Sequence, residues 1–409
     1  MRPTRPMRGL SQAQKDHFNE FGYLVIEDVV DEETLQSIER EYEGIVDKLA
    51  PALVDEGKLS QSYSGLPFKE RYIAIMDELD EMYDLYQHLD ISLPLLSPLP
   101  PTSTMNSGPA VFSLLRHPAI LDIAESIVGS EIFCNPVQHA RIKPPAKAMT
   151  GGYSDSNLTK TPWHQDQGVI NDEADETTML TVWVAITDAT VENGCMICIP
   201  GSHTGELTMH CPAHTKTNEI AIPNSLIAEE NAVPMPVKRG GVVLLHQLTE
   251  HSALENHSDS IRWSFDLRYH AVGAATGRSV FPGFIARSEA DPDSELKTAE
   301  AWGQLWQETK DRLVAKPEFI FNTRWDGVAA DQLCASCSCH KKILARPNNS
   351  WNLLFFIDKR QRIDRCLMHL ARFILQQHRL PQPLARLHRC IKTHIADPDI
   401  QRRGPCTNG

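Results

Sequence analysis

The stretch "IRWSFDLRYH", Ile261 to His270, alternates apolar and polar side chains along its first half. An extended strand exploits that pattern, because successive side chains there point to opposite faces. Ile261, Trp263 and Phe265 then share one face, with Arg262 and Ser264 on the other. Four stretches upstream have the same character: "EIFCNPVQHARIK" (131–143), "TMLTVWVAITDA" (178–189), "CMICIP" (195–200) and "GGVVLLHQL" (240–248). Each is short, rich in β-branched or aromatic residues, and bounded by turn residues. Such strands at loose spacing predict a sandwich or barrel that closes its own edges, such as a jelly roll. The expected β-core spans about residues 130–272.

Helices flank this core. Residues 11–21 read as a helix and "GYLVIEDVV" (22–30) as a short strand. A helix over 31–50 follows, with Leu35, Ile38, Tyr42, Ile45 and Leu49 near helical spacing. Residues 91–109, rich in Pro and Ser, predict a loop, and "HPAILDIAESIVG" (117–129) a short helix stopped by Gly129. Residues 294–315 read as helical again. The fold class is therefore mainly β with flanking helices.

Composition narrows the function. At 409 residues, with 41% hydrophobic and 23% charged residues, the chain has the make-up of a soluble globular protein. It contains no apolar run long enough to span a bilayer, and its basic start lacks the apolar region of a secretory signal. Ten irregularly placed cysteines fit a reducing compartment, so a cytoplasmic location is expected. The net charge of −13 is unevenly spread. Residues 331–409 hold 14 Lys and Arg against 5 Asp, a net of +9, which leaves residues 1–330 at −22. An acidic body repels phosphate, so nucleic acid is not the expected partner. The break near residue 330 marks a domain boundary, with a first domain over 1–330 and a basic extension over 331–409.

Chemistry concentrates in "TPWHQDQG", Thr161 to Gly168. In a strand, His164 and Asp166 would point the same way and could converge on one ion. The His-x-Asp pattern also occurs at His88–Asp90 and His257–Asp259. The first lies in a helix-like segment, where such residues do not face each other, and the second in a polar turn. Only His164–Asp166 borders the β-rich region. Downstream, His246 or His251 at the end of an apolar strand could complete two histidines and one carboxylate, the facial triad of non-haem Fe(II). Arg262 on the next strand is a planar cation suited to clamp a carboxylate.

These pieces resemble the phytanoyl-CoA dioxygenase family of Fe(II)/2-oxoglutarate oxygenases. The matching residues are "HQD" (164–166), Trp183 in "LTVW", "NGCMICIPGSH" (193–203), "HQLTEHS" (246–252) and Arg262, with "ARIKPP" (140–145) and "FGYLVIEDVV" (21–30) in support. The resemblance covers roughly residues 10–330 and implies a double-stranded β-helix. It also implies iron on His164, Asp166 and His251, and the 2-oxoglutarate carboxylate on Arg262. Trp183 matches a position lining the 2-oxoglutarate pocket, as do Gln165 and His139. Members often carry a hydroxyl two residues after the distal histidine. Here that residue is Ala253, and Ser264 is the expected replacement.

The implied activity consumes Fe(II), 2-oxoglutarate and O2 and oxidises a C–H bond of a small-molecule substrate, by default to an alcohol. A specialised metabolite is the preferred substrate class, because an acidic body does not favour a polyanionic CoA ester. Fatty acyl-CoA 2-hydroxylation and a non-catalytic metal-dependent scaffold are the alternatives. Asp166 excludes a halogenase, which needs a small residue there. A homo-oligomer is left open. In the extension, Cys334, Cys337, Cys339 and His340 are zinc-ligand types, but no second half with clean spacing follows, and cysteine-rich coil is the preferred reading. "WNLLFFIDKRQRIDRCLMHLARFILQQHRL" (351–380) reads as a basic amphipathic helix that could pack on the core, bind a partner or touch an anionic surface.

Overall fold

Helices lead the chain, in a computed structural model that describes residues 9–79, 83–148, 160–212, 220–316 and 324–325. They are α1 (Gln12–Phe21), α2 (Glu32–Asp55), α3 (Phe68–Glu78), α4 (Tyr83–Leu89), α5 (Pro109–Leu115) and α6 (Pro118–Val128), with α7 (Ala299–Ala315) after the β-core. The zinc-ligand types at 334–340 and the amphipathic stretch at 351–380 lie outside the described residues.

Local chemistry explains the helix ends. Ser11 and Gln14 form a capping box at α1, and Gly22 closes it in the left-handed conformation at φ 77°. The Asp31 side chain accepts from Thr34 N at 2.9 Å to start α2. Helix α2 runs past the expected end at residue 50, through Pro51 to Asp55. It buries Leu35, Ile38, Tyr42, Val46, Ala50 and Leu53. Ile45 and Leu49 are only half-buried, because a 3.6-residue period drifts past them.

The strands, in chain order, are β1 (Tyr23–Ile26), β2 (Ile132–Cys134), β3 (His139–Lys143), β4 (Thr161–His164), β5 (Met179–Ala185), β6 (Met196–Cys198), β7 (Cys211–Pro212), β8 (Ile220–Ala221), β9 (Val233–Met235), β10 (Val242–His246), β11 (His251–Ala253), β12 (Arg262–Ala271) and β13 (Phe284–Arg287). The seven-stranded sheet has the order β1-β10-β5-β12-β2-β13, with β3 also paired to β12. A four-stranded sheet has the order β4-β11-β6-β9. All their pairings are antiparallel. Trp183, Ala185, Val243 and Leu245 of the larger sheet pack with Met196, Cys198, Met235 and Ala253 of the smaller. The two sheets thus face each other as a double-stranded β-helix. The expected strand at 22–30 stops at Ile26, since Asp28 adopts φ 56° and Val29 N and Val30 N turn to donate to Gly240 O.

Strand β12 is buried along nearly its whole length because each face meets a different layer. Trp263, Phe265, Leu267 and Tyr269 face the helices, and Trp263 lies 4.7 Å from the Tyr42 ring and 5.1 Å from that of Phe68. Truncating such a buried aromatic costs about 3–5 kcal/mol, so this face carries stability. Arg262, Ser264, Asp266 and Arg268 occupy the other face, towards the smaller sheet. Polar groups there serve a cavity.

Candidate metal centre

His164 is the last residue of β4 and pairs directly with His251 at the start of β11. Their rings lie 4.1 Å apart. His164 Nδ1 lies 2.9 Å from Pro162 O, and His251 Nδ1 lies 2.8 Å from Thr249 O. A carbonyl only accepts, so both Nδ1 atoms carry the proton and both Nε2 atoms keep a free lone pair. Gln165 continues the extended backbone, which returns Asp166 to the side of His164 before a turn of 3-10 helix begins. Asp166 Oδ1 then lies 3.9 Å from His164 Nε2 and 4.0 Å from His251 Nε2. Three donor atoms so spaced can share one ion at roughly 2–2.5 Å from each.

Electrostatics keep His164 and Asp166 in their ligating forms. Burial lowers the His164 pKa to about 3, helped by the neighbouring His251 and opposed by Asp166, so the ring is neutral at pH 7. Burial alone would raise the Asp166 carboxyl. Arg268, with His251 and His164, outweighs that and holds it well below the usual carboxylate range. Arg268 Nη2 bonds Asp166 Oδ1, and Thr181 Oγ1 donates to Asp166 Oδ2. Arg268 and Thr181 are themselves register partners across β12 and β5. Sequence reading missed both residues. The signal existed, since continuing the β12 alternation past Phe265 puts Arg268 on the face of Arg262.

Arg262 is the second charged feature. It is 1% exposed, yet no carboxylate among the described residues pairs with it. Its Nε donates to Gly194 O at 3.2 Å, its Nη1 donates to Ser264 Oγ at 2.7 Å, and its guanidinium lies 5.3 Å from the centre of the Trp183 ring. Burial lowers its pKa to about 10, which still leaves it charged at pH 7. An unpaired buried guanidinium is costly, and an anion relieves the cost. Gly194 sits at φ 90°, where an added Cβ would come 2.5 Å from Leu254 O, so the "NG" turn also positions Arg262. One cavity is lined by Arg262, Trp183, His164, His251, Thr181 and Arg268.

The other expected residues lie elsewhere. Gln165 is buried with its side chain committed to backbone, donating to Leu248 O at 2.8 Å and accepting from Thr208 N at 2.7 Å. It ties two loops together and does not line the cavity. His139 pairs with Asp90 at 2.9 Å, and Asp90 also accepts from Ala140 N. The carboxylate of the discounted His88–Asp90 pattern thus anchors β3. Asp259 is exposed beside Lys147, as its polar turn implied. His246 lies outside the triad, with Nδ1 accepting from Leu248 N at 3.1 Å and its ring 5.1 Å from that of His203. Consequently His251→Ala is expected to abolish metal binding, whereas His246→Ala is expected to retain it. Equilibrium dialysis with Fe(II) checks this, and the reverse pattern would refute the assignment.

Comparison with known proteins gives a consistent frame. The phytanoyl-CoA dioxygenase (PhyH) family profile matches residues 18–264. Phytanoyl-CoA dioxygenase domain-containing protein 1 of Mus musculus is 36% identical over 101 residues, 24% of this chain and 34% of that protein. A probable alpha-ketoglutarate-dependent hypophosphite dioxygenase of Stutzerimonas stutzeri is 30% identical over 176 residues, 41% of this chain and 54% of that one. The aligned region thus spans about a third of the mouse relative and about half of the bacterial one. Among solved structures, the non-heme monooxygenase ThoJ in its apo form has a TM-score of 0.46 at 16% identity, covering 74% of this chain and 97% of that one. EvdO2 of Micromonospora carbonacea var. aurantiaca, complexed with 2-oxoglutarate, has a TM-score of 0.42 at 20% identity, covering 66% and 96%. With the profile matched over more than half of its length, the chain belongs to the phytanoyl-CoA dioxygenase family.

Proposed function

We propose that this chain is a mononuclear Fe(II), 2-oxoglutarate-dependent oxygenase acting on a C–H bond of a small organic molecule. The observation that carries the reading is the pairing, in one cavity, of a two-histidine, one-carboxylate cluster with a buried guanidinium that no carboxylate among the described residues pairs with. The donor set fits Fe(II), which takes nitrogen and oxygen ligands from one face and leaves the rest for a chelating co-substrate and O2. His164, Asp166 and His251 hold the ion. Arg262 binds the far carboxylate of 2-oxoglutarate, with Ser264 and Trp183 fixing the guanidinium plane. Iron with 2-oxoglutarate and O2 supplies the oxidising power, and succinate and CO2 are the by-products. Thr181 and Arg268 orient the Asp166 carboxylate, while the surrounding apolar layers exclude water.

Hydroxylation is the default outcome and a specialised metabolite the preferred substrate class, with acyl-CoA 2-hydroxylation the second reading. The assay is succinate release from 2-oxoglutarate against pools of candidate substrates. Succinate output stimulated by one pool and abolished in His251→Ala supports the reading. Tight binding of metal and 2-oxoglutarate with no turnover on any pool would favour a non-catalytic scaffold.

The basic extension is not part of this chemistry in our reading. Trp325 Nε1 donates to Gly168 O at 2.6 Å, its ring stacks on His210 at 5.3 Å, and Arg324 Nε donates to Ile170 O at 2.8 Å. These contacts brace the turn that carries Asp166. A chain ending at Gly327 keeps them and is expected to bind Fe(II) and 2-oxoglutarate within about threefold of the full chain. A chain ending at Lys316 loses them and is expected to bind iron more weakly. Metal titration of the two shortened chains checks this. A soluble, folded chain ending at Gly327 that fails to bind 2-oxoglutarate would give the extension a role in the pocket.

A further inference from the structure

One cation in the cavity has no task in the reaction just described. Arg141 lies on β3 opposite Ser264 of β12, so it shares the inner face with Arg262, Asp266 and Arg268. It lines the same cavity as His164 and His251. Its Nε donates to Asp266 Oδ2 at 3.0 Å, its one hydrogen bond among the described residues. Among the described residues neither Nη1 nor Nη2 meets an acceptor, and the side chain keeps 19% exposure. Asp266 therefore holds Arg141 by one edge and leaves the paired amino groups free. Those are the groups a guanidinium uses to grip a carboxylate bidentately.

The charge balance points the same way. Three guanidiniums, Arg141, Arg262 and Arg268, face two carboxylates, Asp166 and Asp266, a surplus of one positive charge. A divalent ion raises it to three, and dianionic 2-oxoglutarate returns it to one. A neutral substrate would leave that charge buried and uncompensated, which is unfavourable in a closed site. A monocarboxylate cancels it, and a polyanionic thioester overshoots. Two buried charges lie just behind the cavity lining, Lys143 opposite Arg262 and Asp90 beside His139 and Arg141, and being of opposite sign they leave the balance unchanged.

Resting on the oxygenase reading above, we propose that Arg141, oriented by Asp266, is a specificity-determining residue that binds a carboxylate of the substrate, which is a small organic monoanion. Arg262 serves the co-substrate, and Arg141 serves the molecule to be oxidised. The carboxylate would tether the substrate beside the metal and present a C–H bond a few atoms away.

The test uses the full chain, loaded anaerobically with Fe(II) and saturating 2-oxoglutarate. Butanoate and its neutral isostere butanamide serve as probes, and binding is read as paramagnetic broadening of their proton NMR signals. The visible absorption of the iron–2-oxoglutarate chelate is followed in the same samples. Wild type is expected to bind butanoate at least ~10-fold more tightly than butanamide. Arg141→Gln is expected to bring that ratio close to one, and Arg141→Lys to keep part of it. The Arg141→Gln, Asp266→Asn double variant removes both charges at once, so loss of preference there does not come from a stranded carboxylate. Equal or undetectable binding of the two probes to wild type would overturn the proposal. So would a preference that survives in the variants, or butanoate that displaces 2-oxoglutarate. Absence of the chelate absorption from wild type would instead refute the oxygenase reading beneath it.

Discussion

Asp166→Ala is expected to abolish turnover and to weaken Fe(II) binding by well over ~100-fold. Changing residues that merely orient a metal ligand already costs 10- to 100-fold, and this change removes a ligand. The surroundings of Asp166 make the fold pay for this change as well. Arg268 is 4% exposed, and among the described residues its Nε lacks a partner and Asp166 is the one carboxylate in ion-pair contact with it. Stranding that guanidinium costs about 3–5 kcal/mol. The metal-free variant should therefore melt well below wild type, and an Asp166→Ala, Arg268→Met double variant should recover much of the loss while still failing to bind iron. Calorimetry and metal titration together separate the two effects. Iron bound as tightly by Asp166→Ala as by wild type would refute the role given to this carboxylate.

Arg262→Gln is expected to act in the opposite sense on stability. Truncating one partner of a buried, hydrogen-bonded charge pair costs about 2–5 kcal/mol of affinity, or ~30-fold and upward in Kd for 2-oxoglutarate. The ligand-free protein gains from the same change, because a buried guanidinium without a carboxylate is a net cost. Its melting temperature should not fall, and added 2-oxoglutarate should no longer raise it. A large loss of stability with 2-oxoglutarate affinity intact would make Arg262 a structural residue.

The β-core was legible because its strands carry their pattern locally. Alternation over Ile261–Phe265 and the apolar runs at 179–185 and 242–246 need no knowledge of the partner strand. The helices α3 and α5 escaped notice for different reasons. In α3 the buried Phe68, Tyr72, Ile75 and Met76 do fall at helical spacing, but the stretch "SQSYSGLP" (60–67) just before it reads as loop and masks its start. In α5 a Pro at the first helical position follows a Pro- and Ser-rich loop, so the loop signal dominates.

The candidate site divides in the same way. His164, Asp166, His251 and Arg262 were readable because spacing within a strand and family resemblance agree. Gln165 was misread as a cavity contact although it alternates away from His164, so strand geometry alone already argued against it. The grip of Asp90 on His139 joins residues 49 apart, and that of Arg268 on Asp166 joins residues 102 apart. No local pattern encodes such pairings.

The central claim is that His164, Asp166, His251 and Arg262 form one site for iron and 2-oxoglutarate. It is tested most directly by anaerobic titration of the full chain with Fe(II) and then 2-oxoglutarate, reading the visible absorption of the chelate. The account predicts one iron and one 2-oxoglutarate per chain, no chelate in Asp166→Ala or His251→Ala, and in Arg262→Gln iron retained with 2-oxoglutarate bound weakly. Chelate formation that is unchanged in Asp166→Ala, or 2-oxoglutarate affinity that is indifferent to Arg262, would contradict it.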